Sequence, residues 1–242
     1  MMNSTQKILA LITAIWLGTL GIQHASAEQW EIPHQGKRLL AEWQAADNEL
    51  PVVLLVHGTI AHNKMEIMAG LQSAFADRDI STLAINLSLG ISQRESSNYP
   101  CEQPHTHKHE DAVAEIAAWS AYLAEQGYTN QVVLGHSRGG NQVAQFLHQQ
   151  QSDTIKGGIL IAPMFKLDPP DESEKVLLEE AASSEWLEDI DFLYCEGVKV
   201  AGTTYISYYT PSANFDTISL VSDTQLPFLV FAGSEDRVVA GL

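Results

Sequence analysis

Runs of apolar residues at two distinct periods organise this chain. Val52-Val53-Leu54-Leu55-Val56 is a continuous β-branched-rich stretch opened by Pro51. Val132-Val133-Leu134, Gly158 to Ile161 and Pro227 to Ala232 are similar short runs, and Ser81 to Leu87 is another. Continuous apolar runs of this length predict strands buried on both faces, as in a parallel sheet. Between them the period changes to that of a helix. Met68, Leu71 and Phe75 share one face of 65–77. Val113, Ile116, Ala117, Ser120, Leu123 and Ala124 share one face of 111–127, which Gly127 ends. Val143, Phe146 and Leu147 continue the pattern after residue 140. Ahead of all this, Trp30 to Trp43 predicts an antiparallel hairpin turning at His34-Gln35-Gly36-Lys37. A hairpin followed by alternating strands and helices predicts the α/β class: a mostly parallel sheet with helices on both faces.

Two segments break the alternation. Residues 88–109 are polar and irregular, a long loop for a compact domain, and loops of that length are often functional. Residues 163–226 form an insertion with an acidic amphipathic helix over 171–184. Its later part carries Tyr194, Tyr205, Tyr208, Tyr209 and Phe215. Those aromatics either line a substrate pocket or form the insertion's own small core.

The N-terminus has the order of a secretory signal. Lys7 is the only charge in the first 27 residues, Ile8 to Ile22 is mostly apolar, and Ala25-Ser26-Ala27 is an A-x-A site. Fifteen helical residues span about 22 Å, short of the roughly 30 Å hydrocarbon core. The expectation is therefore an exported protein, periplasmic or extracellular, beginning at Glu28. No membrane span is expected in the mature chain. The remainder, 28–242, reads as one domain. The chain carries 13 basic and 30 acidic residues, a net charge of −17, which argues against nucleic-acid or anionic-membrane partners. Composition leaves the oligomeric state open.

The candidate chemistry centres on Gly135-His136-Ser137-Arg138-Gly139, a G-x-S-x-G pattern placed between a strand and a helix. In that context the serine sits on a sharp strained turn, small neighbours avoid clashes, and the helix N-terminus faces developing negative charge. With these features the chain resembles the α/β-hydrolase superfamily of esterases, lipases and peptidases. The resemblance implies Ser137 as nucleophile. Ester, thioester or amide cleavage would then pass through an acyl-enzyme, without a cofactor, on a small-molecule, acyl or peptide substrate. It implies an oxyanion hole from the amide of Arg138 and that of Thr59 or Ile60, since His57-Gly58-Thr59 follows an early buried strand. The insertion at 163–226 would be a cap. By the family's chain order the acid is Asp236, with Glu235 as fallback, in the loop after strand 227–232. The histidine base should follow one helix and strand later, whereas no histidine lies beyond His148 and the sequence ends at Leu242. A chain whose C-terminal part is missing is the expectation; a non-catalytic protein that binds a ligand or partner in the same pocket is the alternative.

Three further features invite chemistry. His57, at a strand end, is expected to be structural. His105, His107 and His109 form an H-x-H-x-H run beside Glu110 and Asp111. It reads first as a structural or solvated loop, and second, with His62 on a loop at the same end of the sheet, as a metal or substrate contact. Cys101 and Cys195 are an even pair in an exported chain and are candidates for a disulfide.

Overall fold

The computed structural model describes residues 27–46, 50–150 and 152–234. The signal-like segment 1–26 and the acid candidates Glu235 and Asp236 lie outside the described residues.

The first two strands, β1 (Glu28–His34) and β2 (Lys37–Gln44), pair antiparallel with His34 opposite Lys37. Gln35 and Gly36 turn the chain at φ of 46° and 76°. Two consecutive positive values suit the twist of the flanking strands. Trp30 stacks on Trp43 at 4.5 Å across the ladder. β3 (Val52–Val56) and β4 (Thr82–Asn86) are buried at every position, as continuous apolar runs require. β5 (Gln131–His136), β6 (Ile155–Ile161) and β9 (Phe228–Phe231) complete a seven-stranded sheet in the order β1-β2-β4-β3-β5-β6-β9. β1, β2 and β4 pair antiparallel; β4, β3, β5, β6 and β9 run parallel.

The alternation along β3 divides the core in two. Val53 and Leu55 pack with Met68 of α1 (Glu66–Ala76) on one face. Val52, Leu54 and Val56 belong to the larger cluster on the other face. That cluster takes in Ile116, Trp119 and Leu123 of α2 (Asp111–Glu125), and Val143, Phe146 and Leu147 of α3 (Arg138–Gln149). From β3 the chain winds to β4 on one side and to β5 on the other. The loops leaving the C-terminal ends of β3 and β5 therefore diverge and leave a crevice, the usual ligand position in an open α/β sheet.

Between β6 and β9 lies the insertion. α4 (Glu172–Ser183) starts in a capping box: the Asp171 carboxylate accepts from the Glu174 amide and the Glu174 carboxylate accepts from the Asp171 amide. An antiparallel pair that the sequence pattern did not predict follows, β7 (Trp186–Phe192) and β8 (Cys195–Ala201), then α5 (Gly202–Tyr209), a 3₁₀ turn over 213–215 and α6 (Thr217–Ser222). Tyr205, Tyr208 and Phe215 are buried, Tyr209 is half-buried and Tyr194 is exposed. The insertion is tied to the 88–109 loop at two places. Cys101 and Cys195 form a disulfide with Cα atoms 5.5 Å apart. The amide of His105 donates to Lys199 O (2.8 Å), and that of Ala201 donates to His105 O (2.9 Å).

Candidate active site

Ser137 occupies the turn between β5 and α3 with φ 55° and ψ −126°, a conformation L-residues rarely adopt. Two glycines make this turn sterically feasible. A Cβ on Gly135 would stand 2.3 Å from Gly139 O, and one on Gly139 would stand 2.3 Å from His57 O. Both obstacles are main-chain atoms, so no side chain fits at either position. The turn is held by its own backbone: Ser137 N donates to Ile161 O at the end of β6, and Ser137 O accepts from Gly140 N and Met164 N. The serine is thus fixed on α3, β5 and β6 together, with its side chain half-exposed at the crevice.

The loop after β3 stands opposite. A Cβ on Gly58 would lie 3.1 Å from Ser137 Cβ, so the bare Cα of Gly58 is packed against the serine side chain. Thr59 and Ile60 lead the turn that follows, Ile60 with φ 42°, and Ala61 N donates to Gly58 O. Arg138 supplies the first amide of α3, one of the N–H groups that helix geometry leaves without an intrahelical partner. The structure therefore brings Ser137 against Gly58 and Arg138 against Thr59, with Ile60 next along the same turn.

His57 is fully buried and serves the scaffold. Its Nε2 accepts from the Leu87 amide (3.1 Å), its Nδ1 donates to Gly58 O (2.9 Å), and burial with the nearby Arg94 charge lowers its pKa to about 3. Arg94 pins the loop from below. It donates to Leu87 O, Ser97 O, Ala61 O and Asn86 Oδ1. Glu115 on α2 holds the next loop, accepting from the Ser88 amide (2.7 Å) and from the Ser88 hydroxyl. Burial raises its pKa to about 6 against those hydrogen bonds. Arg94 gives no sequence signal within a polar loop. Glu115 gives one, as a charge beside Ile116 on the apolar face of its helix.

His105, His107 and His109 are neither solvated nor gathered around one point. All three are buried. His105 stacks on Tyr99 at 4.4 Å, and its Nδ1 lies 3.3 Å from His107 Nε2. His107 Nδ1 lies 2.8 Å from the Tyr208 hydroxyl, and His109 Nδ1 lies 3.4 Å from Gln145 Nε2. Desolvation depresses all three pKa values, to about 4 for His105 and about 3 for His107, so the rings are neutral. Among the described residues no group of three or more His, Cys, Asp or Glu side chains is arranged to hold a metal. His62 accepts from the Lys64 amide on the surface. Among the described residues no histidine is hydrogen-bonded to the Ser137 hydroxyl. Polar side chains on α3 dock the insertion and the long loop: Asn141 Nδ2 donates to Asn214 O and Thr217 Oγ1 of the insertion, and Gln142 Nε2 donates to His109 O at the end of the 88–109 loop.

Comparison with known proteins gives a family and a fold. The family model described as serine aminopeptidase, S33, matches residues 47–189. No curated protein matches the sequence. Among solved structures, Est1E from Butyrivibrio proteoclasticus is 18% identical, covering 87% of this chain and 79% of that one at a TM-score of 0.59. A thioesterase domain from the curacin biosynthetic pathway is 15% identical, covering 88% and 84% at 0.60. A soluble variant of monoglyceride lipase from Saccharomyces cerevisiae is 13% identical, covering 88% and 87% at 0.56. At these identities the likeness is one of fold. The family match spans more than half of the chain and contains both the strained serine turn and the loop that faces it, and on that ground the protein belongs to the serine aminopeptidase S33 family of α/β-hydrolases.

Proposed function

We propose that the protein is a serine hydrolase that cleaves an ester, thioester or amide through an acyl-enzyme on Ser137. The observation that carries the reading is the strained Ser137 backbone between two obligatory glycines and against Gly58. A conformation costing about 1–3 kcal/mol persists where the surrounding structure enforces it, and such positions cluster at active sites. In the proposed reaction the Ser137 hydroxyl attacks the carbonyl carbon. The carbonyl oxygen then gathers negative charge near the amides of Arg138 and of Thr59 or Ile60, with the positive end of α3 directed at it. The base that takes the serine proton is none of the histidines whose ring nitrogens are engaged in the core. Asp236, in the segment after β9, is the proposed orienting acid. A fluorophosphonate probe tests the reading. It should label Ser137 and fail to label Ser137→Ala; a protein that folds but takes no label supports the binding-protein alternative, in which the same crevice holds a ligand without cleaving it.

The proposal extends to export. The signal-like order of residues 1–27 and the disulfide between Cys101 and Cys195 both suit an oxidising compartment. N-terminal sequencing of protein from outside the cytoplasm should begin at Glu28; an intact Met1 would sink the idea. No helix among the described residues is long and apolar enough to cross a membrane.

A further inference from the structure

Two arginines flank the loop at Thr59, Arg94 buried and Arg138 half-buried, and their surroundings differ. Arg94 has partners at all three nitrogens, four oxygen acceptors and the His57 ring. Arg138, the residue after Ser137, makes a single side-chain hydrogen bond among the described residues, from Nε to Thr59 Oγ1 (3.2 Å). Its Cζ lies 5.2 Å from the centroid of the Tyr208 ring. Its Nη1 is fully buried and has no partner. Among the described residues no carboxylate pairs with it; the ion pairs there are Arg38–Glu31, Lys64–Glu42, Lys175–Glu172 and Lys199–Glu188. An arginine cannot shed its charge to escape burial as a lysine can. The neighbouring groups do not compensate, since His107 and His109 are kept neutral partly by the Arg138 charge itself. A cation with no counter-ion among the described residues therefore sits between the loop at Thr59 and the insertion, one residue from the nucleophile, in a chain of net charge −17.

We infer that Arg138 is the anion-recognition residue of the Ser137 site, and that the substrate carries a carboxylate close to its scissile carbonyl. The inference rests on the reading of Ser137 as nucleophile and narrows its substrate class. With Nε committed to Thr59, the Nη edge of the fork remains for a planar two-oxygen acceptor, the geometry in which guanidinium binds carboxylate. A single cation balances a monoanion. A phosphate dianion would call for a second one, and among the described residues no other arginine or lysine side chain is hydrogen-bonded to Thr59 or placed over the Tyr208 ring. The Thr59 contact places the charge on the oxyanion side of the serine, so the carboxylate belongs to the acyl portion, as in a half-ester of a dicarboxylic acid.

The test compares 4-nitrophenyl hydrogen glutarate with 4-nitrophenyl pentanoate, which match in length and differ in the terminal charge. Wild-type protein should show kcat/KM at least about 10-fold higher for the glutarate, the scale of one charge-assisted hydrogen bond. R138M should bring the ratio of the two substrates to about one or below, and R138K should restore part of it. Because the ratio is read, a general loss of rate through displacement of the Arg138 amide cancels. A wild-type ratio near one, or a ratio unchanged in R138M, overturns the inference while leaving Ser137 as nucleophile intact. Should wild type turn over neither ester, the hydrolase reading fails and calorimetry decides the anion site separately: monomethyl glutarate should bind wild type at least about 10-fold more tightly than methyl pentanoate, with the difference lost in R138M, and equal affinities or no binding of either overturns it.

Discussion

Replacing Ser137 with glycine should leave a more stable protein than replacing it with alanine, while either change abolishes the proposed activity. The perturbation is confined to one side chain on a half-exposed turn. At φ 55° and ψ −126° a residue with a Cβ carries about 1–3 kcal/mol of strain. Glycine adopts the same backbone without that cost, but its freer unfolded chain subtracts about 0.5–1 kcal/mol relative to alanine. The net gain of Ser137→Gly over Ser137→Ala is then about 0–2.5 kcal/mol, with a middle value of about 1.2 kcal/mol. For a domain of this size each kcal/mol moves the melting temperature by about 2–4 °C, so at that middle value the glycine variant should melt about 2–5 °C above the alanine variant. Alanine is the proper reference because it removes the hydroxyl and keeps the Cβ, isolating the backbone term from the loss of a polar group.

The assay is paired urea and thermal denaturation of the two variants, with fluorophosphonate labelling to confirm that neither retains the nucleophile. An alanine variant equal to or more stable than the glycine variant would refute the argument. The turn would then hold no strain, and the observation carrying the proposed function would be lost. The outcome also bears on mechanism: a serine kept in a costly conformation points to selection for its placement and not for stability.

Gly139→Ala should fail to fold or lose about 3 kcal/mol or more, since the new Cβ would meet His57 O at 2.3 Å and Val56 O at 2.8 Å; a soluble variant with wild-type melting would contradict this. The double variant Cys101→Ser, Cys195→Ser should lose about 3–5 kcal/mol against the oxidised protein by urea titration, because the bridge closes a loop of sequence separation 94; an unchanged midpoint would count against it. Burial raises the Glu115 pKa from 4.5 to about 6, so the folded state binds its proton more tightly than the unfolded chain does. That contribution is complete below pH 4.5 and is lost as pH rises through 6, about 2 kcal/mol in all. The stability of Glu115→Gln minus that of wild type should therefore increase by about 2 kcal/mol between pH 4 and pH 7; a difference independent of pH would refute the assignment.

Much of this architecture is legible in the residues because it depends on local rules. Val52 to Val56 has no polar face to offer water, so it has to be a central strand. Gln35-Gly36 accepts two positive φ values, so the hairpin closes where the pattern changes. The serine turn is legible for the same reason, since a glycine two residues to either side is a backbone requirement. The 88–109 loop is not legible, because its composition describes the wrong environment. Its histidines look like solvent-facing polar residues, yet Tyr99, Tyr208 and Phe192 enclose them, and the enclosing rings come from segments about 100 residues apart in the chain. The β7–β8 pair is hidden for a different reason. Two register shifts, between Leu187 and Ile190 and between Ile190 and Phe192, break the alternation that announces a strand.

The buried polar groups around the serine separate into two kinds, and the separation follows distance along the chain from Ser137. His57, Arg94 and Glu115 meet acceptors or donors at each of the contacts described, and what they join is backbone: Gly58, Ala61, Leu87 and Ser88. They fix the loop opposite the serine before any substrate arrives, the preorganisation that makes amide donors effective against a developing oxyanion. Ser137 and Arg138 behave otherwise. One is strained and the other has no counter-ion among the described residues, and both departures would be removed by ordinary selection for stability. They are adjacent residues on the turn that two glycines make possible. A scaffold well partnered on the Gly58 side and, among the described residues, unsatisfied on the Ser137 side is complementary to a group that accepts a bond from the serine and brings a negative charge to the arginine.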